Sequence, residues 1–426
     1  MKKALIITYY WPPAGGPGVQ RWLKFVKYLR DYKIEPIVYV PENPEYPILD
    51  KSLSGEVPEN ITILKNKIFE PYALAKLFSR KHTSVISSGI IAESGKQNLL
   101  QKLFLYIRGN YFIPDARKFW VKPSVNFLSE YIDKHNINTI ITTGPPHSLH
   151  LIGLELKRKH KLNWIADFRD PWTQIGYHEK LRLTNRSREK HLELEKKVLL
   201  GANHIITTSF TTKAEFEKKT SRPITVITNG YDILNQSEVH LDTHFSIAHI
   251  GSLLSGRDPK NLWHVIGELL TENRNFAGDL NIKLVGAVSD EVVLSMKDFG
   301  LENYIEISGY VSHKEALKIQ QSAQVLLLIE IDSEETRGII PGKLFEYMAA
   351  KRPILAVGPK EWDVEKILKE TSAGNYFNYN ERKNLKTQIL NYYELFKQDE
   401  LKSESKNIEK YSRSKLTGDL AKLLNE

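Results

Sequence analysis

The chain has 426 residues, 41% hydrophobic and 26% charged, with a formal net charge of +9; that length predicts two domains of roughly 200 residues rather than one core. It contains no cysteine, which excludes disulfides, thiolate nucleophiles and Cys-ligated metals. The basic balance suits phosphorylated ligands or anionic lipid, and no nucleic acid is expected, because no helix-turn-helix spacing, zinc pattern or RNP-type aromatic motif is present.

Two lysines precede an apolar run in Met1-Lys-Lys-Ala-Leu-Ile-Ile-Thr-Tyr-Tyr10, the outline of a signal peptide. The run is too short and enters Trp11-Pro12-Pro13 without a small-residue cleavage site, so a strand over Ala4–Thr8 is expected instead. No apolar segment approaches the ~20 residues that cross a bilayer, and the expected location is cytoplasmic. A glycine-rich loop runs from Trp11 to Gly18. After it, Trp22, Phe25, Val26 and Leu29 recur at helical spacing, and Pro36–Val40 reads as the next strand. This βαβ opening predicts a Rossmann-like half. It lacks Gly-x-Gly-x-x-Gly, and no acidic residue closes the second strand, which argues against a dehydrogenase. Gly15, Gly16 and Gly18 suit a loop where backbone approaches a ligand closely; a flexible connection is the plainer alternative.

Leu74–Phe78 and Leu99–Arg108 are amphipathic runs with interleaved basic residues, separated by a loop-like Thr83–Ser94. Such runs either lie on an anionic membrane surface or pack on their own domain. Pro114–Trp120 reads as a polar and aromatic loop able to touch an acceptor. Thr139–Gly144 is a strand, followed by Pro145-Pro-His-Ser-Leu-His150 and a helix through Lys159. The next strand, from Asn163, ends in Asp167-Phe-Arg-Asp-Pro-Trp172. Ligands of open α/β sheets gather at carboxyl strand ends, which selects His147, Asp167, Arg169 and Asp170. His150 competes with His147, and two carboxylates round one guanidinium could equally be a structural ion pair. Ser187–Leu200 reads as a charged helix and Ala202–Ser209 as a strand. The first domain closes with Ile224–Asp232, giving 1–232, and a polar linker covers 233–243.

The second domain, 244–405, opens with the strand and glycine turn Phe245–Gly251. Arg257 then precedes a helix over Asn261–Leu270, and a basic residue beside a helix N-terminus is a phosphate-binding combination. Ile282–Gly286 and Ile305–Tyr310 are further strands. Val325-Leu-Leu-Leu-Ile329 suits a buried parallel strand, Pro341 and Gly342 punctuate, and Lys343–Ala350 are good helix formers before a strand over Pro353–Gly358. Lys343 stands in the first helical turn, where a cation opposes the helix dipole unless an anion compensates it. Glu346 lies on the same face by i,i+3 spacing. A cation for phosphate plus a carboxylate for paired hydroxyls is what a nucleotide with a ribose requires; a capped core helix with two solvated charges is the alternative. Residues 406–426, with Ile408, Leu416, Leu420 and Leu423, predict a final helix.

Pro341-Gly-Lys-Leu-Phe-Glu-Tyr-Met-Ala-Ala-Lys-Arg-Pro-Ile354 resembles the donor-nucleotide motif of the family-4 retaining glycosyltransferases (glycosyl transferases group 1). Tyr9–Gly18, Pro145–Ser148 and Asp167–Trp172 are similar to further segments of that family. The resemblance implies an α/β GT-B fold: two Rossmann-like α/β/α domains facing an interdomain cleft, with a C-terminal helix crossing back to the first. It implies that Glu346 holds the ribose hydroxyls, with Gly342, Leu344 and Phe345 beside it on the donor. Tyr310 and Val311 border the base, while Gly16, Gly18, Gly251 and Ser252 meet the donor's diphosphate. Arg257 and Lys343 stabilise the leaving diphosphate, and His147 touches the donor sugar or the attacking hydroxyl. Asp167, Arg169 and Asp170 fall on the acceptor side. The chain departs from the family pattern twice. Ser252 stands where an arginine is common, and Gly338 stands where many members carry a glutamate, with Glu334 and Glu335 just upstream.

The implied reaction needs no cofactor and no metal. A nucleotide-diphosphate sugar is the co-substrate, and the acceptor is a hydroxyl on a glycan or lipid-linked molecule of cell-surface polysaccharide or glycolipid synthesis. Lipid-carried acceptors would bring the chain to the inner face of the membrane. Two rivals stay open: a nucleotide-sugar epimerase of the same fold, and a non-catalytic sugar- or lipid-binding module, which the missing carboxylate at Gly338 keeps open.

Overall fold

Apolar runs with little alternation suit parallel strands covered on both faces, and two sheets of that kind carry this molecule. The computed structural model describes residues 1–70, 99–174, 178, 181–232 and 239–426. The expectations on Leu74–Phe78, on Thr83–Ser94 and on residues 233–238 of the linker lie outside the described residues. The chain separates into two units, residues 1–229 with 413–426, and residues 230–412.

The first unit holds β1 (Lys2–Ile7), β2 (Ile34–Pro41), β3 (Thr62–Asn66), β4 (Thr139–Gly144), β5 (Asn163–Phe168), β6 (His204–Thr207) and β7 (Ile224–Val226). They form one parallel sheet in the order β3-β2-β1-β4-β5-β6-β7. The order reverses between β1 and β4, which pair from Leu5↔Ile140 to Ile7↔Thr142. Helix Pro17–Leu29 starts with proline, which tolerates a first-turn position, and buries Trp22, Leu23, Phe25, Val26 and Leu29. The segment expected as a loop at Pro114–Trp120 contains a short 3-10 turn, Ala116–Trp120, capped by Asp115. Asp115 also accepts from the Ser148 amide (2.9 Å) and hydroxyl (2.8 Å). Arg117 pairs with Glu70 at 3.0 Å and stands 4.7 Å over the Tyr9 ring. Those buried ties make this turn a brace inside the unit.

The second unit holds β8 (Phe245–Ile250), β9 (Leu280–Val285), β10 (Ile305–Gly309), β11 (Val325–Ile329), β12 (Ile354–Gly358) and β13 (Gly374–Asn378). Their order is β10-β9-β8-β11-β12-β13, again reversing between the first strand and the fourth. β11 and β12 are buried along their whole length.

The final helix runs over Arg413–Asn425 and not from residue 406. Asn407 is left-handed (φ 54°) and Ser412 extended, so the chain leaves helical geometry on both sides of a short turn at Ile408–Tyr411. Ile408 is only half-buried, whereas Leu416, Leu420 and Leu423 are buried. This helix belongs to the first unit. Arg413 donates to Gln20 (2.9 Å) and Tyr32 to the Ser414 carbonyl (3.0 Å). Among the described residues, no helix is long and apolar enough to cross a membrane.

Candidate functional site

In a doubly wound sheet the loops after the two strands flanking the reversal splay apart and leave a crevice at their carboxyl ends. In the second unit those strands are β8 and β11. β8 runs into Gly251, whose φ of +121° disfavours any side chain, and a Cβ there would sit 2.7 Å from the Lys343 ammonium. The predicted glycine is thus needed both for its backbone and for the approach of Lys343. Lys343 opens helix Lys343–Ala349, and its Nζ lies 3.4 Å from His249 Nε2. His249 is wholly buried in β8, with Nδ1 2.9 Å from the Leu327 carbonyl. That carbonyl needs a donor, so Nδ1 carries the proton and Nε2 accepts from the lysine. Burial, then the Arg257 charge, push the Lys343 ammonium down to about 8, against Glu330 and Glu346. An arriving anion would relieve this destabilised cation.

Arg257 ends the short turn Ser255–Arg257. It grips Glu330 with two hydrogen bonds, Nε to Oε1 at 3.0 Å and Nη2 to Oε2 at 3.2 Å. Glu330 follows β11 directly, is wholly buried, and also accepts from the Ile331 amide at 2.9 Å. Arg257 remains 36% exposed at its side chain, and Nη1 has no hydrogen bond among the described residues. The guanidinium is therefore fixed at one edge and open at the other, as bidentate phosphate recognition requires.

Glu346 stands one turn beyond Lys343. Gln320 donates to it at 3.2 Å, and His313 Nε2 lies 3.7 Å away. Leu344 and Phe345 are wholly buried, so their side chains belong to the core. Their amides close the turn on Pro341 (3.0 Å) and Gly342 (3.2 Å); the two residues therefore shape the site from behind. Ser252 and Val311 are half-buried, and Tyr310, following the left-handed Gly309, is 84% exposed. Glu334 and Glu335, upstream of Gly338, are exposed.

In the first unit, β4 leads through Gly144 to His147, at the head of helix Ser148–Lys159. The His147 ring stacks on Trp172 (5.1 Å, 5°), is buried, and has no partner on either nitrogen. His150 is bound to Thr142 at 2.8 Å through Nδ1 and only its Nε2 is unpartnered. The competition between the two histidines thus favours His147 as the one with both nitrogens available. Burial pulls His147 well below the usual imidazole range, with the neighbouring charges of His150, His178 and Arg169 adding to it. His150 is held down to about 3, chiefly by burial.

The carboxylates here are arranged differently from the expectation. Asp167 does not share Arg169. It is wholly buried and accepts from Arg21 (3.0 Å), Trp22 (2.8 Å) and Thr143 (2.9 Å). With both oxygens taken it ties β5 to helix Pro17–Leu29 and is unavailable to an acceptor. Arg169 donates to the Pro145 carbonyl, and its guanidinium fills the space a Cβ on Gly18 would need. Arg169 thus occupies the space that any side chain at Gly18 would need. Gly16, with φ +106° and open space around it, keeps the geometry of a ligand-facing turn. Asp170 is half-buried, and burial raises its carboxyl above the ordinary range against the pull of Arg169.

Sequence reasoning missed Glu330 and His249. The signals were a charge placed directly after the apolar run of β11 and a histidine inside the apolar run of β8.

No protein-family model and no curated protein matches the chain. Solved structures do. HepE of Anabaena, in complex with UDP, is 14% identical with a TM-score of 0.63, and the match covers 100% of both chains. Sucrose-phosphate synthase from Thermosynechococcus elongatus is 11% identical with a TM-score of 0.62, covering 100% of this chain and 98% of that one. A Listeria monocytogenes protein assigned as a UDP-N-acetylglucosamine 2-epimerase is 11% identical with a TM-score of 0.55, covering 100% and 96%. Together with the two parallel sheets, these likenesses give the chain the GT-B fold.

Proposed function

We propose that this chain is a glycosyltransferase that moves a hexose from a nucleotide-diphosphate sugar to a hydroxyl acceptor. The observation that carries the reading is the pairing of Lys343 on His249 with Arg257 on Glu330, two held cations at the strand ends of one unit. A leaving diphosphate gains charge as the glycosidic bond breaks, and preorganised donors aimed there supply the main catalytic contribution. Arg257 brings a permanent charge and Lys343 a cation that gains from an anion. Glu346, positioned by Gln320, takes the ribose hydroxyls. HepE has been crystallised with UDP and with UDP-glucose, and Staphylococcus aureus TarM with UDP, which supports a donor of this class.

Retention, membership of family 4 and independence of a metal rest on the motif around Lys343 and Glu346. His147 is the residue proposed to meet the donor sugar or acceptor hydroxyl, because its ring nitrogens are uncommitted. Arg169 and Asp170 remain acceptor-side candidates. A lipid-linked acceptor in polysaccharide or glycolipid synthesis, met at the inner face of the membrane, fits the exposed Leu103, Tyr106 and Tyr111 of helix Leu99–Tyr111. Co-sedimentation with anionic but not neutral liposomes tests that contact.

The main test is a thermal-shift screen of UDP, GDP, ADP and their sugars on wild type and Glu346→Ala. A binder stabilises the native state by mass action. One base should raise the melting temperature of wild type and not of the variant. No shift with any nucleotide at saturation would leave a non-catalytic module. The Listeria likeness keeps the epimerase reading in view, and product analysis separates it: an epimerase converts the donor sugar with no acceptor present.

A further inference from the structure

The first unit has a second concavity, at the amino ends of its strands and so at the opposite edge of the sheet from His147. This cavity has a volume of about 730 Å³, the size of a small-molecule site. Its lining includes residues that open strands, Lys2 of β1, Thr139 of β4 and Asn163 of β5, and the end of helix Ser148–Lys159. Helices that follow parallel strands point their carboxyl ends at this edge, and each such end favours about one cation. Lys157 already fills that role, donating to the Gly201 carbonyl (2.8 Å) and to Asn203 (2.6 Å).

Lys2 and Lys161 are not committed in this way. Neither ammonium has a hydrogen bond or ion pair among the described residues, and the same holds for the Asn163 side-chain amide and the Asn138 NH₂ group. His160 gives Nδ1 to Asp133 at 3.0 Å, while its Nε2 is buried without a partner. A buried polar atom without a partner is uncommon in a folded protein. Two carboxylates stand by these groups, Glu426 in the lining and Asp133 on His160 Nδ1.

We propose that this cavity is a second ligand site for a small phosphorylated sugar. Lys2 and Lys161 take the phosphate, and the Asn138 and Asn163 amides with His160 Nε2 take hydroxyls. The site is independent of the donor groups at Lys343, which sit in the other unit.

Glucose 6-phosphate titrated into the full chain, with isotope-labelled histidine, tests it. The His160 resonance, identified with His160→Gln, should move in wild type and equally in Lys343→Ala. The apparent Kd should rise about tenfold or more in the Lys2→Glu/Lys161→Glu double variant, the loss expected for charge-assisted contacts. Inorganic phosphate should bind more weakly than the sugar phosphate. Should the double variant fail to fold, Asn163→Ala must weaken binding on its own. An unmoved His160 at millimolar ligand overturns the proposal, as does a response that survives the double variant or disappears in Lys343→Ala.

Discussion

The strand reversals at β1/β4 and β8/β11 are the same piece of topology built twice, with opposite electrostatics. At β8/β11 burial keeps charge exposed to use: Lys343 leans on a neutral histidine, and Arg257 is held by Glu330 along one edge only. At β1/β4 charge is put away. Asp167 is consumed by Arg21, Trp22 and Thr143, and the buried atoms left without partners include both ring nitrogens of His147, His150 Nε2 and the Nε of Arg21 and Arg169. One sheet architecture thus presents two held cations at one reversal and a fully committed carboxylate at the other, according to which side chains find partners inside it.

The largest expected effect separates chemistry from stability. Lys343→Met should lower kcat by about 10²-fold or more, the scale for losing a donor to developing charge. Its melting temperature should hold or rise, because a desolvated cation is removed; a fall in melting temperature with unchanged kcat would make Lys343 structural. Asp167→Ala should do the reverse. It leaves Arg21 buried and unpaired, costing about 3–5 kcal/mol in denaturant unfolding, and an unfolding curve like wild type would break the contrast.

Acid and base should act on different units. Above about 8 the free Lys343 is neutral, so nucleotide binding must take up a proton, and affinity should fall as pH rises through that value. The same titration on Lys343→Met should be flat. In the first unit, His150 has a folded value near 3 against 6.5 when unfolded. The unfolded chain therefore binds the extra proton between those values, and stability is lost as pH falls from 6.5 towards 3. His150→Gln should reduce that slope, measured by urea midpoints across the range.

The smallest effect is local. Gly18→Ala forces the Arg169 guanidinium aside and should cost about 1 kcal/mol, as for other overpacked sites with a flexible neighbour. If Gly18 instead met a ligand, the variant would lose turnover with no change in unfolding.

Much of this was legible in the sequence. The apolar runs at Thr139–Gly144 and Val325–Ile329 became β4 and β11 with the same bounds, whereas β1 and β2 begin two residues before the runs expected at Ala4–Thr8 and Pro36–Val40, because backbone pairing extends past those runs. The pairing of a first-turn lysine with a carboxylate three residues on was readable, since helical spacing alone puts Lys343 and Glu346 on one face. The last helix was misplaced at its start, because hydrophobic spacing registers Ile408 but not the left-handed backbone at Asn407.

What the sequence determined is periodic: which segments are strands or helices, that the strand–turn–helix logic occurs twice, and which turns carry cations. What only the tertiary structure decided is pairing. Arg21 finds Asp167 across 146 residues, Lys343 finds His249 across 94, and Arg257 finds Glu330 across 73. Sheet order brings those partners together, and no local spacing records it. Asp-Phe-Arg-Asp shows the limit: adjacency suggested that Arg169 serves its neighbours, and residues two apart along a strand do share a face, but a shared face does not fix partners. Asp167 is taken by Arg21, Trp22 and Thr143, while Arg169 donates to the Pro145 carbonyl and fills the space beside Gly18.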